Sequence, residues 1–334
     1  MSHEISKTDK VFAVRQPTWH GLEDLLHDHP TREEAEKLVH DWQVIREPLY
    51  RQVPFINDAG EPDTLYQLVD EYELNVRSDT ARELAVVPSH RVEVQPHEMW
   101  DLAELIQGQD KNVIFETAGS LREGRDVWIL IKLNEPVTIN GDPQGESLPY
   151  FALQNSYEPG SAFRGQATNI RIVCANTSRA TDFFAEAHGT NFSFRHGSNL
   201  HERVDEIREA LAGWRQSIQT WKLQKEFMLT EKVTADQMNW FVEQFIPMPD
   251  IRLKTTDRVR ENVETARIEL ITELYGGLNK GITGTTLGLF EAASSWNEHV
   301  RAAQTPMSRF KRSILSPSDV LQQAHELAVA AASV

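Results

Sequence analysis

Only one cysteine, Cys174, occurs in the 334 residues, which excludes an intramolecular disulfide and any zinc site built on thiolates. No apolar run approaches membrane-spanning length; the stretch VWILIKL is only as long as a strand. The start MSHEISKTDK is polar and lacks the apolar core of a signal peptide, so a cytoplasmic protein with no membrane partner is expected. Positive charge is scarce as well. Against 50 Asp and Glu stand 34 Lys and Arg, a net charge of −16 that disfavours nonspecific attraction of the whole molecule to nucleic acid or anionic membrane. A polyanion partner therefore needs a local basic face. The deficit is uneven, since residues 1–74 hold 16 acidic side chains and 7 basic ones.

Familiar catalytic signatures are missing too. GGLNKGITGTT contains glycines, a lysine and threonines, but Lys280 does not follow Gly and precede Ser or Thr as a Walker A loop requires, and it reads as a connection between helices. There is no G-x-S-x-G elbow, and a lone cysteine inside an apolar strand reads as packed. His27, Asp28 and His29 form the tightest cluster of metal-ligating types, yet no second ligand group follows at a recognisable spacing, so a solvated loop is expected. His196 and His201 are read as part of a turn before a long helix. No catalytic residue, metal site or cofactor is assigned.

What is present is a clear succession of textures. Residues 1–46 form an acidic N-terminal lead with one helix at TREEAEKLVHDWQ, where Thr31 and Glu34 stand in capping-box register. Residues 47–199 form an α+β core domain. PLYRQVPFI precedes the turn-rich NDAGEPD, LNVRSDTARELAVV folds as a hairpin around Asp79–Arg82, and PHEMWDLAELIQ is a short helix with Met99, Leu102, Leu105 and Ile106 on one side. NVIFETAGSL and RDVWILIKL flank the turn REG, SLPYFALQNS is a third strand and NIRIVCA a fourth. In that fourth strand Ile170, Ile172 and Cys174 are expected to face the core, and Asn176 and Thr177 to cap a following helix. Residues 200–334 are a helical C-terminal region. Val204, Ile207, Leu211, Trp214, Ile218 and Trp221 make a narrow seam suited to packing within or between subunits, and Thr234 with Gln237 repeats the capping box. The expected fold is α+β, an antiparallel β-sheet body with flanking helices and a helical C-terminal third.

The candidate site is a set of arginines on the β body: Arg122 and Arg125 in the REG turn, Arg164 in a loop, Arg171 on the last strand, Arg179 at the helix start and Arg195 beyond it. With the helix N-terminus expected at Asn176, these residues suit phosphate binding, and Trp128, Tyr150, Phe151 and Tyr157 offer stacking surfaces for unpaired bases. The competing reading is plainer: surface arginines are commonly solvated and strand aromatics commonly core. An enzymatic alternative combines Asn176, Arg171 and Glu116, without a nucleophile–base pair to drive it.

Six segments together, TWHGL, NVRSDT, ETAGSLREGRDVWILIKL, YFALQNSYEPGSA, RIVCANT and RHG, resemble the phage/plasmid-like protein family of unknown function, domain-of-unknown-function family 932. The resemblance implies a mobile-element setting, and the layout of strands and helix is loosely similar to phage single-strand annealing proteins. Trp19 and His20, in TWHGL, fit either a site or a buried structural anchor. The expected function is nucleic-acid binding, single-stranded DNA binding or annealing in recombination or replication by a homo-oligomer. The alternative is a noncatalytic interaction or structural factor with a phage or host protein as partner.

Overall fold

Capping chemistry starts the first helix where the sequence places it. Thr31 Oγ1 accepts from the Glu34 N–H and the Glu34 carboxylate accepts from the Thr31 N–H, opening α1 (Arg32–Val39). This computed structural model describes residues 6, 8–15, 24–109, 112–171, 176–178, 192–196, 204–249, 257–302 and 319–334.

Among the described residues the body is a nine-stranded sheet. Its path runs from β11 (Asn176–Ser178) through β10 (Ala162–Arg171), β9 (Glu146–Ser156), β7 (Asp126–Leu133), β6 (Val113–Leu121) and β1 (Val11–Val14) to β2 (Asp24–Leu26). β12 (Phe192–Arg195) also pairs with β10, and β8 (Val137–Thr138) pairs with β9. All pairings are antiparallel except β1 with β2. The acidic lead thus supplies two strands of the sheet as well as its helix.

One face of the sheet holds the main core. Ile129 and Ile131, Phe151 and Leu153, Phe163 and Ala167 are buried there with α1, with α2 (Pro96–Gln109) and with the front of α3 (Val204–Thr230). α2 buries Met99, Trp100, Leu102, Ala103 and Ile106, whereas Leu105, expected on the same side, is exposed. Of the α3 seam, Trp214, Ile218 and Trp221 are buried within the chain, and the side chains of Val204, Ile207 and Leu211 lie outside the described residues. Farther along, Met228 of α3 enters a second core with α4 (Ala235–Phe245), α5 (Asp257–Tyr275), α6 (Thr286–Ser295) and α7 (Asp319–Ala331). Five residues of π-helix, Trp296–Val300, prolong α6. The architecture is α+β with flanking helices and a helical C-terminal part.

The expected strand-to-helix switch at Asn176 is a correction. Asn176, Thr177 and Ser178 form β11, in register with Arg171, Ile170 and Asn169. Their backbone joins a ladder, so Asn176 caps no helix there. The fourth strand also begins earlier than expected, at Ala162, which makes Arg164 a strand residue and not a loop residue.

A separate three-stranded sheet, β3 (Val44–Ile56), β4 (Pro62–Arg77) and β5 (Glu83–Pro88), carries a long hairpin. β5 pairs only with Tyr72–Val76, so from Tyr50/Leu68 to Ile56/Pro62 the hairpin is a two-stranded arm. Its base is tied to the body by Arg77, which is buried, stacks 4.4 Å over the Trp42 ring and donates to both carboxylate oxygens of Asp79. Gly124 of the REG turn makes room for it, since a Cβ at this position, where φ is +95°, would lie 2.8 Å from Arg77 Cδ.

Candidate nucleic-acid interface

The turn that presents Arg122 is strained and held from behind. Arg122 and Glu123 have φ of 52° and 65°, a conformation that costs side-chain-bearing residues and needs outside support. Asp9 supplies it, accepting from the Glu123 N–H and from Ser120 Oγ, both at 2.9 Å.

Arg122 is already occupied. Its guanidinium donates to Asp126 at 2.7 Å and to Glu158 at 2.5 Å, and both carboxylates share its partly buried setting. Burial works against its charge, but the Glu158 hydrogen bond and the Asp126 charge outweigh that and hold it protonated more firmly than an ordinary arginine. A phosphate approaching Arg122 meets two negative charges first. Arg125 is half-buried, and its Nε has no hydrogen-bond partner among the described residues.

Across the sheet, Trp128, Gln154, Arg164 and Ser193 stand in cross-strand register and share one face. Arg164 is exposed and lines a cleft of about 240 Å³ with Arg122, Asp126, Gln154 and Glu158. Arg195 is exposed too and pairs with Ala162, which makes it the diagonal neighbour of Arg164 on the same face. Arg171 is in register with Ser147 and Asn176, and lies an odd number of positions from Arg164 along an unbroken ladder. The two positions therefore fall on opposite alternations of the pleat. The side chains of Arg171 and Asn176, and the whole of Arg179, Trp19, His20 and Cys174, lie outside the described residues. Of the seven site positions, Arg122, Arg164 and Arg195 are the ones whose side chains the structure brings to one face.

The expected stacking surfaces are a further correction. Phe151 and Tyr157 are wholly buried in the main core, and Trp128 and Tyr150, on the same sheet face as Arg164, are buried too, Tyr150 with Leu130 and Ala152. Burial pushes the Tyr157 and Tyr150 hydroxyls up out of their ordinary range. None of the four is open to a base. Glu116, named in the enzymatic alternative, is held by Lys132 at 2.7 Å. His29 turns to the Phe115 carbonyl and Asp28 lies 3.6 Å from Arg15. Among the described residues no three His, Cys, Asp or Glu side chains are placed to share a metal ion.

Two polar groupings escape sequence reasoning altogether. Arg91 and Glu93 form a buried ion pair at 2.7 Å, with Asn75 donating to Glu93 and the buried His196 ring 3.3 Å from it. His196 continues β12 as a bridge residue and is not in the expected turn. Burial raises Glu93 above the usual carboxylate value despite Asn75 and Arg91, and burial lowers His196 to about 4. The second is His40, wholly buried, whose Nδ1 accepts from Trp100 Nε1 at 3.1 Å while Nε2 donates to the Gly119 carbonyl at 2.9 Å. No spacing rule reveals either, because the partners lie far apart in sequence.

Residues 83–315 match the model of a family described as Domain of unknown function (DUF932). The match begins at β5, so the hairpin arm and the TWHGL segment precede it. No curated protein and no solved structure matches the chain.

Proposed function

We propose that this chain, which belongs to the DUF932 family, is a noncatalytic nucleic-acid-binding protein of a phage or plasmid, acting on single-stranded DNA in recombination or replication. The observation that carries the reading is the exposed pair Arg164 and Arg195, diagonal neighbours on one sheet face beside an open cleft. Arg122 contributes less, because Asp126 and Glu158 neutralise it. With the strand aromatics buried, phosphate contact supplies the affinity and base identity matters little.

Two phosphate contacts per chain predict a shallow salt dependence, a slope of about −1.4 in log K against log salt for single strands. Fluorescence anisotropy with single-stranded and duplex oligonucleotides over a salt series measures it. Arg164→Ala with Arg195→Ala is expected to weaken binding and flatten the slope while leaving the fold intact. Absence of binding at low salt, or a double variant that binds like the native chain, sinks the proposal.

A second reading, an interaction factor with a protein partner, is favoured by one feature: the two-stranded arm exposes large apolar side chains to water.

A further inference from the structure

The arm has two unlike faces. Cross-strand pairing puts Tyr50 with Leu68, Gln52 with Tyr66, Pro54 with Thr64 and Ile56 with Pro62 on one of them, and these four pairs contain no charged residue. Toward the base the register shifts between Pro48 and Tyr50, and beyond the shift Ile45 stands opposite Val76 and Leu74 opposite Glu47 and Val86. Within the four pairs Tyr50, Ile56, Tyr66 and Leu68 are all exposed, Tyr66 at 63% and Ile56 at 65%. The other alternation of the arm carries Arg51 and Asp63 among Leu65 and Phe55, and at the base Asn75 and Val87 are buried against the body.

Physically this arm is incomplete. A two-stranded hairpin in water is marginal by itself, and here the outer half has solvent on both sides. Its apolar face offers on the order of 700 Å² of side-chain surface, near the ~800 Å² that each partner contributes to a standard interface and above the largest patch of a typical monomer.

We propose that this face is a dimerisation surface, occupied by the same face of a second copy of the chain in a two-fold, sheet-on-sheet stack. Charge selects the occupant. A nucleic acid finds no cation among these four pairs, and toward the base Glu47 stands opposite Leu74. Two copies of a chain with net charge −16 repel almost everywhere, and the uncharged pairs are where they can meet without burying a like charge. An antiparallel two-fold also keeps the acidic tips, with Asp58 and Glu61, at opposite ends of the stack. Edge-to-edge addition is disfavoured because Pro48 and Pro54 interrupt the free edge of β3.

Sedimentation equilibrium of the full chain over a dilution series tests this. The native protein is expected to dimerise with little salt dependence, unlike the arginine-mediated binding proposed above. Tyr50→Glu with Tyr66→Glu is expected to raise the dimer dissociation constant about a hundredfold. Leu65→Glu, on the opposite face, is expected to leave it unchanged, and Arg164→Ala with Arg195→Ala likewise. All these side chains are exposed, and far-UV circular dichroism checks that each variant folds. A native chain that stays monomeric into the high-micromolar range overturns the inference, as does a Leu65→Glu variant that dissociates as readily as the tyrosine pair.

Discussion

His40 shows how a single side chain acquires a role from its surroundings. Held between an indole donor and a carbonyl acceptor, it must be neutral, and burial lowers its pKa from 6.5 to about 4, with the nearby Arg77 charge adding to the effect and the Gly119 hydrogen bond opposing it. The sign follows from the protons bound. Between those two values the unfolded chain carries the extra proton, so this stability is complete above pH 6.5 and is lost as the pH falls toward 4. At pH 5 the loss is about 2 kcal/mol. Urea denaturation at pH 7.5 and pH 5 should show it, and His40→Gln, though less stable at neutral pH, should lose about 2 kcal/mol less over the interval. The difference between the two proteins isolates His40 from Glu93, whose raised pKa works in the other direction. Equal pH profiles would mean that His40 is not held neutral.

At the scale of elements, local rules worked where the interaction is local. Both capping boxes, Thr31 with Glu34 and Thr234 with Gln237, form as the three-residue spacing predicts. Thr31→Ala and Thr234→Ala should each cost about 1 kcal/mol in chemical denaturation, and a loss within error would assign the helix starts to packing alone. The same residue types misled at Asn176 and Thr177, because a side chain able to cap is also tolerated in a strand, and only pairing with β10 decides which occurs. Alternation along NIRIVCA likewise reveals that a strand has two faces but not which one is covered. β10 carries the core residues Phe163 and Ala167 on one face and the exposed Arg164 on the other.

On the scale of the whole molecule, the boundary expected at 200 leads into a helix that serves both cores. α3 has 27 residues, a length of about 40 Å, with Trp214 and Ile218 in the sheet core and Met228 in the helical one. Further ties cross between them: the Asn140 N–H donates to Glu226 at 3.0 Å, and Lys225 of α3 pairs with Glu291 of α6. Heat should therefore unfold the chain in one calorimetric transition, and Trp214→Ala should destabilise it by about 3–5 kcal/mol. Two well-separated transitions would show the cores to be independent. The acidic excess of residues 1–74 also takes on a shape: seven of its 16 carboxylates lie between Glu47 and Glu73, along the arm and its base.

The amino-acid sequence by itself determined the capped helices, the hairpins around Asp79 and REG, the α+β order, and the exclusion of an intramolecular disulfide and of a thiolate zinc site, all matters decided within a few residues or by composition. Tertiary structure decided the rest. Glu158 neutralises Arg122 from 36 positions away and Gly119 fixes His40 from 79, while the sheet hides the aromatics expected to stack and leaves the arm's apolar face open. The physical reason is that helix capping is satisfied inside one turn, whereas burial and ion pairing depend on which distant segment is brought alongside.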